Sequence, residues 1–230
     1  MLIGEIDVSP INSVTPVWSA NDNRGTYEKI VITGEFGSKI PLYKCIPSHV
    51  EPPHSWVICL QGHNSGMHNS LGVDYAEEKW KYKVDKSNDF VNWCFSNGFA
   101  ALCLEQSCFG ERRENSQVKR SQHWCHDAAL HSLLLGRTIM GERLADVERA
   151  IRYIDQASSG SYKKIGVMGH SLGGTVSIYS GALIKDVDFV VAGSCVSSFD
   201  ESLLRIYHCA DLYIPRLREY FEFGDIVGLM

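Results

Sequence analysis

The chain has 230 residues, of which 44% are apolar, 21% charged and 10% aromatic. That balance excludes a disordered tail, a collagen-like repeat and a disulfide-stapled mini-protein, and the length fits one α/β domain or two small ones. Twenty-two Lys and Arg against twenty-seven Asp and Glu leave a net charge of −5, with no basic block, which argues against nucleic acid or anionic membrane as a partner.

Residues 1–26 are polar and interrupted by Pro10 and Pro16, so they read as a leader segment lying over a domain that spans 27–230. The segments 27–33 and 40–46 alternate around Gly34 and Gly37, which predicts an antiparallel hairpin at one edge of a sheet. Four short, continuous apolar runs follow at 56–60, 99–104, 164–168 and 187–192. Runs of that kind mark strands buried on both faces. Between them, residues 89–97 form a helix stopped by Gly98. Leu144, Val147, Ile151 and Ile154 recur at spacings of three and four, which gives the helix over 142–156 one apolar face. Residues 172–183 form the helix after the third run. Buried strands alternating with helices predict a mostly parallel sheet covered on both sides.

The eight cysteines include no C-x-x-C pair, and Cys59 and Cys103 read as small core residues on strands. Free thiols of this kind imply a reducing compartment. The first ten residues lack the basic start and apolar stretch of a signal peptide, and no window reaches the ~18 apolar residues of a membrane span. The expected location is the cytoplasm.

The third apolar run leads straight into Gly169-His-Ser-Leu-Gly173, a G-x-S-x-G sequence followed by Gly174. A serine on a sharp strand-to-helix turn has its hydroxyl exposed, and the crowding there admits only glycine at the flanking positions. The helix that starts next aims backbone N–H groups at the same point, where an oxyanion would form. Ser171 is therefore the candidate nucleophile. Leu60-Gln-Gly-His63 follows the first buried run, in the place from which a second oxyanion donor comes. The backbone N–H groups of His63 and Leu172 are the candidate oxyanion hole.

Four stretches together resemble the acetyl xylan esterase and dienelactone hydrolase branch of the α/β-hydrolases: residues 60–64, Phe109-Gly-Glu-Arg112, residues 141–154 and Gly169 to Gly174. Residues 208–215 are similar to a segment that precedes the strand bearing the catalytic acid in that branch. The resemblance implies an α/β-hydrolase fold and a serine carboxylesterase acting on a small-molecule ester without a cofactor. Gln61 departs from the histidine that relatives carry before the glycine. The contact there is made by a backbone N–H, so the hole is expected to survive.

In this fold the triad runs in the order Ser, acid, His. Only 59 residues follow Ser171, and they hold no further apolar strand for an acid or a histidine. The chain therefore reads as a hydrolase lacking its last strands and catalytically incomplete, with a non-catalytic binding protein of the same fold as the alternative. Within the 59, Asp200 and His208 stand in triad order and are the alternative partners for Ser171. No metal site is expected, because His123 and His126 are one helical turn apart but lack a third ligand. Glu111-Arg-Arg-Glu114 reads as a solvated loop. Arg143 and Asp146 read either as a surface pair or, by the resemblance, as a tie behind the site. Phe109 and Trp124 read as core rather than pocket. The strand at 187–192, left at the sheet edge, is a dimerisation or aggregation liability.

Overall fold

The four apolar runs become four adjacent strands on one side of a seven-stranded mixed sheet in the computed structural model, which describes residues 2–4, 10–34, 37–63, 66–73, 89–113 and 125–230. The strands are β1 (Ser13–Asn21), β2 (Gly25–Thr33), β3 (Lys39–Pro47), β4 (Trp56–Leu60), β5 (Ala100–Leu104), β6 (Ile165–His170) and β7 (Phe189–Gly193), and the spatial order is β1-β2-β3-β5-β4-β6-β7. β1 to β3 run antiparallel, β3 meets β5 antiparallel, and β5, β4, β6 and β7 run parallel. Every residue of β4 and β5 is buried, as expected of strands covered on both faces.

Side-chain alternation sorts the core into two layers. Ile58, Leu60, Leu102 and Val167 face one way, onto α3 (Ile139–Ala157) and α4 (Leu172–Leu183). Val57, Cys59, Ala101 and Cys103 face the other way, onto Val91, Cys94 and Phe95 of α1 (Phe90–Ser96). Period-two alternation along each strand produces this division. α1 begins where the Asp89 carboxylate accepts the Asn92 N–H at 2.9 Å. α3 begins at Thr138, whose hydroxyl accepts the Gly141 N–H at 3.0 Å.

Two expectations change. Ser13–Asn21 is not part of a leader over the domain; it is the edge strand, paired with β2 from Ser13↔Thr33 to Asn21↔Thr26. Its polar, proline-containing sequence suits a largely exposed edge strand, in which Trp18 and Ala20 are half-buried, and its register shifts between Pro16 and Trp18. The β2–β3 hairpin consequently lies one strand inside the edge. A further helix, α2 (Cys125–Leu134), precedes α3, and α5 (Phe223–Val227) follows two 3₁₀ turns. β7 occupies the opposite edge, and its Val191 is 40% exposed.

At the end of β5, Glu105 is fully buried and fastens the loop after β4 to the loop after β5. Its two carboxylate oxygens accept the backbone N–H groups of Met67 at 3.0 Å and Glu111 at 3.1 Å. Burial pushes the Glu105 carboxyl up from 4.5 to about 7, outweighing both hydrogen bonds. The folded state thus holds this proton more tightly than the unfolded chain. Its contribution to stability is present at acid pH and is lost as pH rises from 4.5 through about 7. Thermal melts should show wild type losing stability relative to Glu105→Gln between about pH 5 and about pH 8. Parallel profiles for the two proteins would contradict this assignment.

Candidate active site

The functional centre begins with a backbone conformation. Ser171 joins β6 to α4 with φ 54° and ψ −121°, a region that L residues rarely occupy. Its N–H donates to the Gly193 carbonyl of β7 at 2.8 Å, which fixes the turn against the neighbouring strand. The glycines on either side are required by close approach. A Cβ on Gly169 would lie 2.1 Å from the Gly173 carbonyl carbon, and one on Gly173 would lie 2.2 Å from the Leu60 carbonyl oxygen. The helix start therefore presses directly on the C-terminal end of β4, as the sequence motif requires.

Gly62, on the loop leaving β4, is also against the serine. A Cβ placed there would be 3.1 Å from the Ser171 Cβ. This brings the Gly62–His63 turn and the first residue of α4, Leu172, to the same point. Ser171, His63, Leu172, Thr175, Cys195 and His208 all line one cavity of about 410 Å³. Asn64 lies outside the described residues.

Behind the cavity wall is a buried ionic chain. Arg143 of α3 is 1% exposed and donates from Nη1 to Asp211 Oδ2 at 2.7 Å and from Nη2 to the Ser107 carbonyl at 3.3 Å. Its guanidinium stands 4.9 Å from the centroid of the Phe109 ring. The other Asp211 oxygen meets His63 Nε2 at 3.1 Å. Although burial opposes it, the Arg143 charge and the His63 contact hold the Asp211 carboxyl well below the usual carboxylate range. Burial disfavours the His63 cation, but hydrogen bonds to Asp211 and Cys209 prevail and raise its pKa to about 9. Cys209 Sγ lies 3.0 Å from Cys125 Sγ. Hydrogen bonds from Cys125 and then His63 lower the Cys209 thiol to about 5 against its burial, while the same contact and burial push Cys125 up.

Arg143 thus takes Asp211 as its partner and is no part of a surface pair with Asp146. Both residues are buried, which excludes the surface reading. Asp146 instead binds Arg112, Arg149 at 3.3 Å and the Ser107 hydroxyl at 3.2 Å. Nor is Glu111 on a solvated loop: it meets Lys29 at 2.7 Å and His68 at 3.1 Å. Phe109 is buried in the core, as expected. Asp200 and His208 are not brought together. Asp200 is exposed and pairs with Arg218 at 3.4 Å, whereas His208 Nε2 is bonded to the Ser202 hydroxyl at 3.0 Å. Glu114, His123 and Trp124 lie outside the described residues. The sequence reading missed Asp211, whose place in chain order gives no sign of its partners.

Residues 109–201 match the profile of a family described as "Putative serine esterase (DUF676)". The chain is 25% identical over 235 residues to "Putative hydrolase YtaP" of Bacillus subtilis (strain 168), covering all of this chain and 74% of that protein. A crystal structure described as a "putative acetyl xylan esterase" from Bacteroides fragilis superposes with a TM-score of 0.80 at 17% identity, over 97% of this chain and 61% of that one. The acetyl xylan esterase of Paenibacillus sp. R4 gives 0.61 at 18% identity over 92% of this chain and 63% of its own, and a glucuronoyl esterase from Solibacter usitatus gives 0.65 at 13% identity over 99% and 68%. The chain spans 61% of the Bacteroides protein's length. The likeness is one of fold, an α/β-hydrolase fold, in which Ser171 occupies the strained turn between β6 and α4.

Strain at the elbow has a measurable consequence. Glycine occupies the Ser171 conformation without steric cost, so Ser171→Gly should stabilise the protein by about 1 kcal/mol or more, within the ~1–3 kcal/mol range of such strain. Ser171→Ala retains the Cβ and should melt within about 1 °C of wild type. Equal melting of all three proteins would contradict a strained elbow.

Proposed function

We propose that this chain is a serine ester hydrolase of the carboxylesterase type, with Ser171 attacking the acyl carbonyl of a small-molecule ester. The observation that carries the reading is Ser171 held at φ 54° on the cavity wall with Gly62 packed against it. Attack would turn the carbonyl oxygen into an oxyanion, for which the backbone N–H groups of His63 and Leu172 are the donors. Collapse of the tetrahedral species expels the alcohol, and water then releases the acid from the acyl-serine. The buried free thiols support a cytoplasmic location. The described residues include no helix long and apolar enough to cross a membrane.

Two imidazoles, those of His63 and His208, line the cavity with Ser171. Among the described residues neither is hydrogen-bonded to the Ser171 hydroxyl; their partners include Asp211 and Ser202. A serine whose hydroxyl is bonded to no base among the described residues is a weak nucleophile, so turnover through Ser171 should be feeble, orders of magnitude below that of a complete triad. The same observation favours the second reading, in which the cavity binds a ligand without turning it over.

Hydrolysis of a short activated ester by the purified chain, beside Ser171→Ala and His208→Ala, separates these cases. Slow turnover abolished by Ser171→Ala and little changed by His208→Ala is expected. Robust turnover lost in both variants would promote His208 to the base that serves Ser171. Saturable binding with no turnover, unaffected by Ser171→Ala, would replace the enzyme with a binding protein.

The exposed edge of β7 supports self-association, since an open strand offers unpaired backbone groups to a second copy. Size-exclusion chromatography should show a concentration-dependent shift toward dimer. A monomer at all concentrations would overturn this part of the proposal.

A further inference from the structure

We propose that His63, Cys125, Cys209 and Asp211 form a closed binding site for a thiophilic divalent cation of the zinc type. One ligand atom from each residue lies within 4.8 Å of every other, and all but His63 are buried. Two thiols, an imidazole and a carboxylate make a complete four-ligand set for zinc, with sulfur to select it over calcium or magnesium.

Size is compatible. Bond lengths of ~2.3 Å to sulfur and ~2.0–2.1 Å to nitrogen or oxygen place tetrahedral ligand atoms roughly 3.3–3.8 Å apart. Two of the separations here are 3.0 Å between the sulfurs and 3.1 Å between His63 and Asp211. Opening the sulfur pair by about 0.8 Å and the His63–Asp211 pair by about 0.3 Å admits the ion, and changes of side-chain torsion supply that.

Charge is compatible too. Arg143 and Asp211 already cancel one another, and two thiolates cancel a dication once the ion has displaced the thiol protons and the proton of His63. The buried cluster is therefore neutral with the ion in place, although it lies in surroundings that would penalise a net charge. Arg143 on Asp211 Oδ2 leaves Oδ1 for the metal and fixes the carboxylate's orientation. His63, whose side chain is 20% exposed on the cavity wall, supplies the way in.

With all four positions taken by protein, the ion has no open position for water or substrate, so its role is structural. It would pin three segments together: the turn at Gly62–His63, the start of α2 and the 3₁₀ turn at Ala210–Leu212. The first of these is the loop that packs on Ser171, so the metal would stiffen the cavity wall.

The test loads the purified, reduced chain with zinc chloride alone, removes excess ion by gel filtration and measures bound zinc by mass spectrometry. One zinc per chain is expected in wild type and in Cys195→Ser. Affinity should fall by about 100-fold or more in Cys125→Ser and in Cys209→Ser, since even outer-shell changes cost 10–100-fold. Cobalt(II) added to wild type should also produce thiolate-to-metal charge-transfer absorption, a readout that needs no variant to fold. The proposal is overturned by wild type that retains no zinc, by undiminished zinc in both serine variants, or by cobalt without that absorption. It is overturned equally by an intact mass two hydrogens lighter under reductant, with Cys125 and Cys209 recovered as one cross-linked peptide.

Discussion

A single buried ion pair, Arg143 with Asp211, organises the end of the sheet where the serine stands. Both side chains are wholly withdrawn from water. Withdrawing two charges is costly, and their attraction offsets that cost only when the remaining donors and acceptors are also satisfied. Most are: Arg143 reaches the Ser107 carbonyl and Asp211 spends its second oxygen on His63, while the buried Arg143 Nε–H has no hydrogen-bond partner among the described residues. The pair thereby ties α3, the loop after β5 and the turn at Ala210–Leu212 to the loop that leaves β4. Remove one partner and the other is stranded, at a cost of about 3–5 kcal/mol.

The elbow depends on this arrangement from the other side. Ser171 keeps a disfavoured backbone conformation because Gly169 and Gly173 let α4 press onto β4, and because the Gly193 carbonyl of β7 captures its N–H. Gly62 then closes against the serine. The loop carrying Gly62 is held by His63 through Asp211, so strain at Ser171 and the ionic chain behind it are two ends of one construction. Strain of this kind persists only where the surroundings over-determine it.

How much of this was legible in the sequence follows from the range of each interaction. The central strands were legible because continuous apolar runs have one common use, and the elbow because its glycines answer a local steric demand. α3 was legible from its period, and α4 from the motif it follows. β1 was not: Ser13–Asn21 is polar and exposed, and only its pairing with β2 makes it a strand. α2 was missed for a similar reason, since Cys125–Leu134 mixes two histidines and an aspartate into its turns. The ionic chain was the least legible part. Asp211 is 68 residues from Arg143 and 148 from His63, and no local pattern encodes contacts at that separation. Arg143 itself stood out, but its neighbour Asp146 on the same helix offered a nearer partner that the fold does not use.

A double-mutant cycle tests the buried tie most directly. The unfolding free energies of wild type, Arg143→Met, Asp211→Asn and the double variant would be measured by denaturant titration under reducing, metal-free conditions. The account predicts that each single change costs about 3–5 kcal/mol and that the double change costs far less than their sum, because neither leaves a charge stranded once both are gone. Single costs below about 1 kcal/mol, or costs that simply add, would show that this ion pair does not hold the site together.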